Sequence, residues 1–472
     1  MTVRMLCALS GLLACASVLP ARAATVENAV TQELARSGRA DVLITLANTA
    51  TLDGAMQIAE RLARRQFVYD TLTAHAAATQ AALRTFLDGR GVAYESFWID
   101  NSIHIRNADS DIIRALAARG DVALVRANRE VPLDFAADET LDRGAPDTVE
   151  PNIQRIRADV VWAQGDTGQG VVVASIDTGV RWTHEALVNQ YRGNDGNGRI
   201  DHDYSWWDPQ HSLSEPADSV SHGTHLVGIA VGGDGPGPFA NDIGVAPGAR
   251  WIAAKGCEGF SCSEASLISA GQWVACPTRV DGSDPDCSKA PDVVDNGWGG
   301  GGSGDSWYLP VVNAWRAAGI VPVFSVGSSG PTCGSVSSPA DYPNVIGVGA
   351  TDSDDVIASF TSRGPGTFRP LKPDVVAPGE SIRSASATSD TAYVFFSGTS
   401  MAMSHVTGTA ALAIAAEPAA GYAQVYRALG FGAERELGPA NTCGGRPSDE
   451  FPNFVYGWGR IDAVGAVAII KR

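Results

Sequence analysis

Phe396-Ser397-Gly398-Thr399-Ser400-Met401-Ala402 is a turn of mostly small residues that runs into an apolar stretch, residues 406–416. The pattern predicts a helix with Ser400 at its N-terminus. Free backbone N–H groups and the positive dipole end favour developing negative charge at such a place. A serine there is a candidate nucleophile, provided that a base and an orienting acid come from elsewhere. Two upstream stretches offer them. Val171-Val172-Val173-Ala174-Ser175-Ile176-Asp177-Thr178-Gly179 reads as a buried strand ending in a carboxylate. Ser221-His222-Gly223-Thr224-His225 opens a second apolar helix, residues 226–231, with a histidine at its start. Taken singly, Asp177 reads equally as a turn residue, His222 as a helix cap and Ser400 as a plain N-cap. Together they form a nucleophile, a base and an orienting acid. His225, three positions along the helix from His222, is expected to face the core and be structural.

Around these stretches, from residue 151 onward, apolar strands alternate with helical runs. Residues 171–176, 251–254, 293–295, 321–326, 345–348 and 375–377 read as strands. Residues 263–273, 306–318 and 405–416 read as helices. Continuous apolar strands with helices between them predict an α/β domain built on a doubly wound, mainly parallel sheet. Ligands in such sheets bind beyond the carboxyl ends of the strands, where Asp177 is expected to fall.

Three motifs, Asp177-Thr178-Gly179, His222-Gly223-Thr224-His225 and Gly398-Thr399-Ser400-Met401-Ala402, resemble those of the subtilisin-like serine proteases (subtilases), in the same order Asp, His, Ser. Gly244-Val245-Ala246-Pro247-Gly248-Ala249 and Pro373-Asp374-Val375-Val376-Ala377-Pro378-Gly379 look like two further family blocks. The resemblance covers residue 150 to the C-terminus. Within the family it leans to the bacillopeptidase F type, through Ala186-Leu187, Tyr191-Arg192-Gly193 and Tyr204-Ser205-Trp206-Trp207-Asp208. It implies a serine endopeptidase acting through an acyl-enzyme. His222 would take the Ser400 proton and Asp177 would orient His222. A protein or peptide substrate would lie as an added strand on Gly297, Trp298 and Gly299, where Gly297 stands in place of the family's serine. The family's oxyanion asparagine is replaced by Ser328, in Val326-Gly327-Ser328-Ser329-Gly330. After the nucleophile, Met403-Ser404 stands where the family usually has a small residue and proline. The Ser328 substitution favours the rival reading, a catalytically weak or inactive subtilase-like protein that binds peptides. An esterase or lipase is disfavoured, because no Gly-x-Ser-x-Gly elbow surrounds Ser400.

Residues 24–133 read as a separate α+β unit: strand 41–46, helix 58–87, two strands within 92–105, helix 110–118 and strand 122–127. That order is the ferredoxin-like pattern. By resemblance it is a propeptide that assists folding and inhibits the enzyme in cis. Residues 134–150 are acidic and aperiodic, and are expected to be an exposed linker containing the maturation cut. Residues 1–23 read as a secretory signal, with Arg4, an apolar run over 5–19 and Ala21-Arg22-Ala23 before the cleavage point. The catalytic domain is then residues 151–472.

The formal net charge of −17 repels phosphate, which argues against nucleic acid and anionic membrane surfaces. No apolar run after the N-terminus is long enough to span a bilayer. A secreted monomer is expected, extracellular or periplasmic. Six cysteines follow the signal: Cys257, Cys262, Cys276, Cys287, Cys333 and Cys443. An even number in an exported chain points to disulfides. Proximity favours Cys257–Cys262 and Cys276–Cys287, leaving Cys333–Cys443. The cysteine spacing does not suit a tetrahedral zinc site. No cofactor is required. Calcium stays open at the oxygen-rich stretch 194–201, which does not fit the EF-hand register.

Overall fold

The structure is a computed structural model that describes residues 23–133, 136–142, 148–233, 243–300, 302–440 and 442–472. All but the last residue of the expected signal lies outside these, as do residues 134–135 and 143–147 of the expected linker.

The first described elements are β1 (Thr25–Val26), α1 (Asn28–Ser37), β2 (Arg39–Leu46), α2 (Arg61–Gly89), β3 (Glu95–Phe97), β4 (Ser102–Asp109), α3 (Ser110–Ala117) and β5 (Val122–Ala127). Their strands form one sheet in the order β1-β5-β2-β4-β3. Helix α2 begins where the Glu60 carboxylate caps the N–H groups of Leu62 and Ala63. It buries Val68, Leu72, Ala76, Gln80, Leu83 and Leu87. Steps of three and four make that a single stripe facing inward.

The chain continues through β6 (Glu130–Pro132), β7 (Ala136–Asp142), α4 (Pro151–Arg155), α5 (Ala158–Trp162), β8 (Val172–Asp177), β9 (Trp206–Trp207), α6 (His222–Val231), β10 (Arg250–Lys255), β11 (Ser261–Ser263), α7 (Glu264–Ala275), β12 (Val293–Asn296), α8 (Leu309–Ala318), β13 (Val321–Ser325), β14 (Ile346–Thr351), β15 (Val375–Pro378), β16 (Ile382–Ala385), β17 (Tyr393–Ser397), α9 (Thr399–Ala416), α10 (Tyr422–Phe431) and α11 (Ala463–Ile470). A second sheet has the order β15-β14-β13-β12-β8-β10-β9, all parallel.

Alternation along β8 explains the two layers, because successive side chains point to opposite faces. Val173 shares one core with Leu226 and Ile229 of α6, Val406 and Ala410 of α9 and Val467 of α11. Ala174 and Ile176 pack with Leu267 and Val274 of α7 and Val311 and Trp315 of α8. Strands buried on both faces read as unbroken apolar runs, which is why they were visible in the sequence. Helix α8 starts at Leu309, three residues later than its pattern suggests, with Pro310 in the first turn, where its missing N–H costs nothing.

One stretch departs from expectation. Within the expected linker, β7 pairs antiparallel with β17. The pairing is made by backbone on a strand edge, so it needs no side-chain pattern and leaves none to read.

Three disulfides join Cys257–Cys262, Cys276–Cys287 and Cys333–Cys443. The first spans 5 residues and the last 110. Closing the longer loop restricts the unfolded chain more, by about 2–3 kcal/mol in the chain-entropy model. Replacing Cys333 and Cys443 by serine is therefore expected to lower the thermal midpoint more than replacing Cys257 and Cys262. Scanning calorimetry of the two double variants checks the order.

Candidate active site

Asp177 is the last residue of β8, at the carboxyl end of the sheet, and is 1% exposed. Its Oδ1 accepts the Thr178 N–H at 2.8 Å and faces His222 Nδ1 at 2.8 Å. His222 is the first residue of α6. The preceding Ser221 takes a left-handed conformation, φ 73°, which costs of the order of 1 kcal/mol for a non-glycine residue. Asp218 holds it there. That carboxylate accepts the N–H groups of Val220, Ser221 and Thr224 and the Thr224 hydroxyl. Gly223 must lack a side chain, since a Cβ would stand 2.2 Å from the Gly179 carbonyl oxygen. This close approach of backbones sets His222 against Asp177.

Ser400 is the second residue of α9, and its hydroxyl donates to the Gly297 carbonyl at 3.1 Å. Gly297 follows β12, the strand beside β8. A Cβ on Gly297 would lie 3.0 Å from Asp177 Oδ2, 3.0 Å from His222 Cε1 and 2.5 Å from Leu226 Cδ1. Asp177, His222 and Ser400, far apart in sequence, thus surround one glycine. The same crowding accounts for glycine at a position where the family has serine.

Burial by itself would lower the His222 pKa. Asp177 beside it, with Asp218 and Asp295 further off, carries it above the ordinary histidine value. The two neighbouring histidines behave otherwise. Burial pushes His225 down to about 3 and His405 to about 4, so both stay neutral. His225 Nε2 sits 3.0 Å from the Ile382 carbonyl and 3.1 Å from that of Val394. It ties α6 to β16 and β17.

The remaining sequence-derived residues fall at the same end of the sheet. Trp298 is fully buried; its indole N–H donates to the Ile176 carbonyl and its ring meets Tyr308 and Phe324 edge-on. Only its backbone faces the groove, where Leu133 forms an antiparallel bridge with it. A Cβ on Gly300 would lie 3.2 Å from Pro132, and Gly299 is buried against Ser337 and Ser338. Ser328 is half-buried just past the carboxyl end of β13, beside β12. Its loop is pinned by Ser362, which donates its N–H to the Gly327 carbonyl and accepts the Ser329 N–H on its hydroxyl.

Residues 24–133 reach this groove. Strand β6 pairs antiparallel with β11, and the Leu133 N–H donates to the Phe260 carbonyl at 3.0 Å. Downstream, Ala136 pairs with Ser397, three residues before Ser400. Away from the groove the contact is ionic. Arg61 and Arg65 meet Asp292, Arg126 and Arg129 meet Glu264, and Arg129 also meets Asp305. Gln272 of α7 accepts the Trp98 N–H at 2.6 Å.

The loop 194–201 closes on itself. Asp195 Oδ1 accepts the N–H groups of Asn197 and Arg199, Asn194 Oδ1 accepts that of Gly196, and Arg199 pairs with Asp201. The Arg199–Asp201 pair lies on the outside of the loop, with the arginine side chain 75% exposed. Asp218 and Asp295 were not singled out as site residues in the sequence. Asp218 had one signal, an Asx residue three positions before the residue that caps a helix, Ser221. Among the described residues no helix is long and apolar enough to cross a membrane.

A family model described as the subtilase family matches residues 168–459. The chain is 40% identical to Bacillopeptidase F of Bacillus subtilis (strain 168) over 334 residues, 69% of this chain but 22% of that protein. It is 32% identical to Serine protease AprX of the same organism over 334 residues, covering 64% of this chain and 67% of AprX. Subtilisin E, also from that strain, matches at 32% over 320 residues, 66% of this chain and 74% of the relative.

Proposed function

The chain belongs to the subtilase family, and from that premise we propose that it is a secreted, self-processing serine endopeptidase. The observation that carries this reading is the meeting of Asp177, His222 and Ser400 around Gly297. Ser400 attacks the scissile carbonyl while His222 takes its proton. His222 then gives the proton to the leaving amine, so the Ser400–acyl bond forms as the peptide C–N bond breaks. Asp177 fixes the tautomer of His222 and stabilises its charged form. Water completes the cycle by the same steps in reverse order.

Self-processing is supported by the strands that flank the site. Residues 130–133 pair with β11 and Trp298 on one side, and residues 136–142 pair with β17 on the other. A substrate bound as an added strand would run the same way. The bond cut on maturation therefore falls between Leu133 and Ala136, and residues 24–133 act as the inhibitor in cis. Labelling of the secreted protein with a fluorophosphonate tests the reading. Modification of Ser400, and a mature N-terminus at residue 134, 135 or 136, are expected. Absence of any labelling would favour the peptide-binding alternative, which the comparisons do not.

Ser328 is the proposed partner of the Ser400 N–H in holding the oxyanion. Its reach is about one bond shorter than that of an asparagine amide, so its contact is weaker. Losing such a donor costs about 100- to 1000-fold in kcat. Ser328→Asn is expected to raise kcat on a peptide substrate with little change in KM, because the gain is made in the transition state. Ser328→Ala is expected to lower it. Unchanged kcat in both variants would assign the second donor to another group.

A further inference from the structure

Beneath the Asp177–His222 pair lies a third carboxyl with no part in the steps above. Asp295 is on β12, level with Ser175 of β8 and two residues before Gly297. It is 1% exposed. Its Oδ2 accepts the Ser404 hydroxyl at 2.9 Å, while its Oδ1 has no hydrogen-bond partner. Ser404 lies one helical turn beyond Ser400 on α9, and its hydroxyl is 3.3 Å from the Ser400 carbonyl. The chain thus carries an acid on one strand and a hydroxyl on the nucleophile's helix that answer each other. Ser404 occupies the place where the family usually has proline, which has neither a hydroxyl nor an N–H to give.

We propose that Asp295 is a positioning residue for the Asp177–His222 pair, its charge stabilising protonated His222 and its orientation fixed by Ser404 on the helix of Ser400. The inference rests on the reading of His222 as base and Ser400 as nucleophile. Burial pushes the Asp295 carboxyl up to about 7, the Ser404 hydroxyl holds it down, the Asp177 charge raises it further, and His222 lowers it. The dependence is mutual, since Asp295 is among the groups that raise His222. The groups that face the pair are few. His222 meets Asp177 from β8, Asp218 from the segment before α6, Asp295 from β12, and His225 on its own helix. Asp295 meets Asp177, His222 and, on α9, Ser404 and Thr407. Asp295 and His222 each shift the other, so these two groups titrate as a pair.

The sign follows. Neutral His222 is the form that accepts the Ser400 proton, so the rate falls as pH drops through the histidine titration. Removing the Asp295 charge takes an anion away from His222, and its proton leaves at lower pH. Asp295→Asn keeps the shape and deletes the charge. Ser404→Ala removes the donor that holds Asp295 ionised and acts in the same direction.

The test uses protein secreted from the full chain. The rate of fluorophosphonate modification of Ser400 is measured across the histidine range, with the thermal midpoint measured beside it. The acid limb of Asp295→Asn should move to lower pH and narrow to a single proton. That of Ser404→Ala should move the same way by less, and the double variant should move no further than Asp295→Asn. Wild-type labelling with limbs that coincide in all variants, whatever happens to the thermal midpoint, would make Asp295 merely structural and overturn the inference. Wild type unlabelled at every pH would instead overturn the serine-protease reading itself.

Discussion

Ser400→Ala is expected to leave the chain uncut and to abolish fluorophosphonate labelling. Hydrolysis of a peptide substrate should fall by about a million-fold in kcat, the loss expected when a triad nucleophile is removed. The residue of activity, about 1000- to 10000-fold over water, would come from binding and oxyanion donors alone. The variant should accumulate with residues 24–133 still attached, because those residues pair into the groove through β6 whether or not the bond is cut. Loss of one buried hydroxyl is a small structural change, so the thermal midpoint should hold. Maturation of this variant in a purified system, with no protease added, would end the case for self-processing.

The second large effect is expected at Asp177. Its Oδ1 accepts from Thr178 and faces His222 at the same 2.8 Å, so this one oxygen fixes both the loop and the ring. Asp177→Asn keeps the shape but replaces an acceptor-only group by an amide. The amide offers donors to Nδ1 and stabilises the wrong tautomer of His222, with its proton on Nε2, the nitrogen that should accept from Ser400. A loss of about 10000-fold in kcat is expected. Steady-state kinetics across pH, with circular dichroism to check the fold, measures it. A loss below about tenfold would remove Asp177 from the role of orienter.

What could be read in the sequence follows from how each feature is held. The strands of the parallel sheet are buried on both faces, so Val172–Asp177 and its neighbours carry unbroken apolar runs that nothing else imitates. Asp177, His222 and Ser400 stand at the ends of such elements, and the small residues around them were needed for close backbone approach, as at Gly223. Hence fold class and candidate triad were legible. Strand β7 was not, because its partner is a strand edge some 250 residues away and the pairing is made by backbone. Helix α1 has one buried residue, Val30, and so almost no stripe to detect. Trp298 shows the reverse difficulty. An aromatic beside glycines suggests a pocket wall, whereas its ring is core and its backbone is what faces the groove. Asp295 and Ser404 could each be seen as residues, but their pairing joins a strand to a helix and appears only once both are folded.

The ionic contact between residues 24–133 and the rest of the chain is one-sided. Among the described residues its cations, Arg61, Arg65, Arg126 and Arg129, come from the N-terminal unit, and its anions, Asp292, Glu264 and Asp305, from the part that matches the subtilase family. While the chain is continuous this asymmetry matters little, since the two parts cannot diffuse apart. On the proposal that residues 24–133 are cut free as an inhibitor, it would become that inhibitor's grip on the rest of the chain. Dissolved salt weakens such a grip through its outer members, Arg61 and Arg129, more than through the buried Arg65 and Arg126. On the same proposal, dissolved salt would shorten the time for which severed residues 24–133 stay bound. Brackish or salty surroundings would hasten the switch from stored to working enzyme, and dilute ones would delay it.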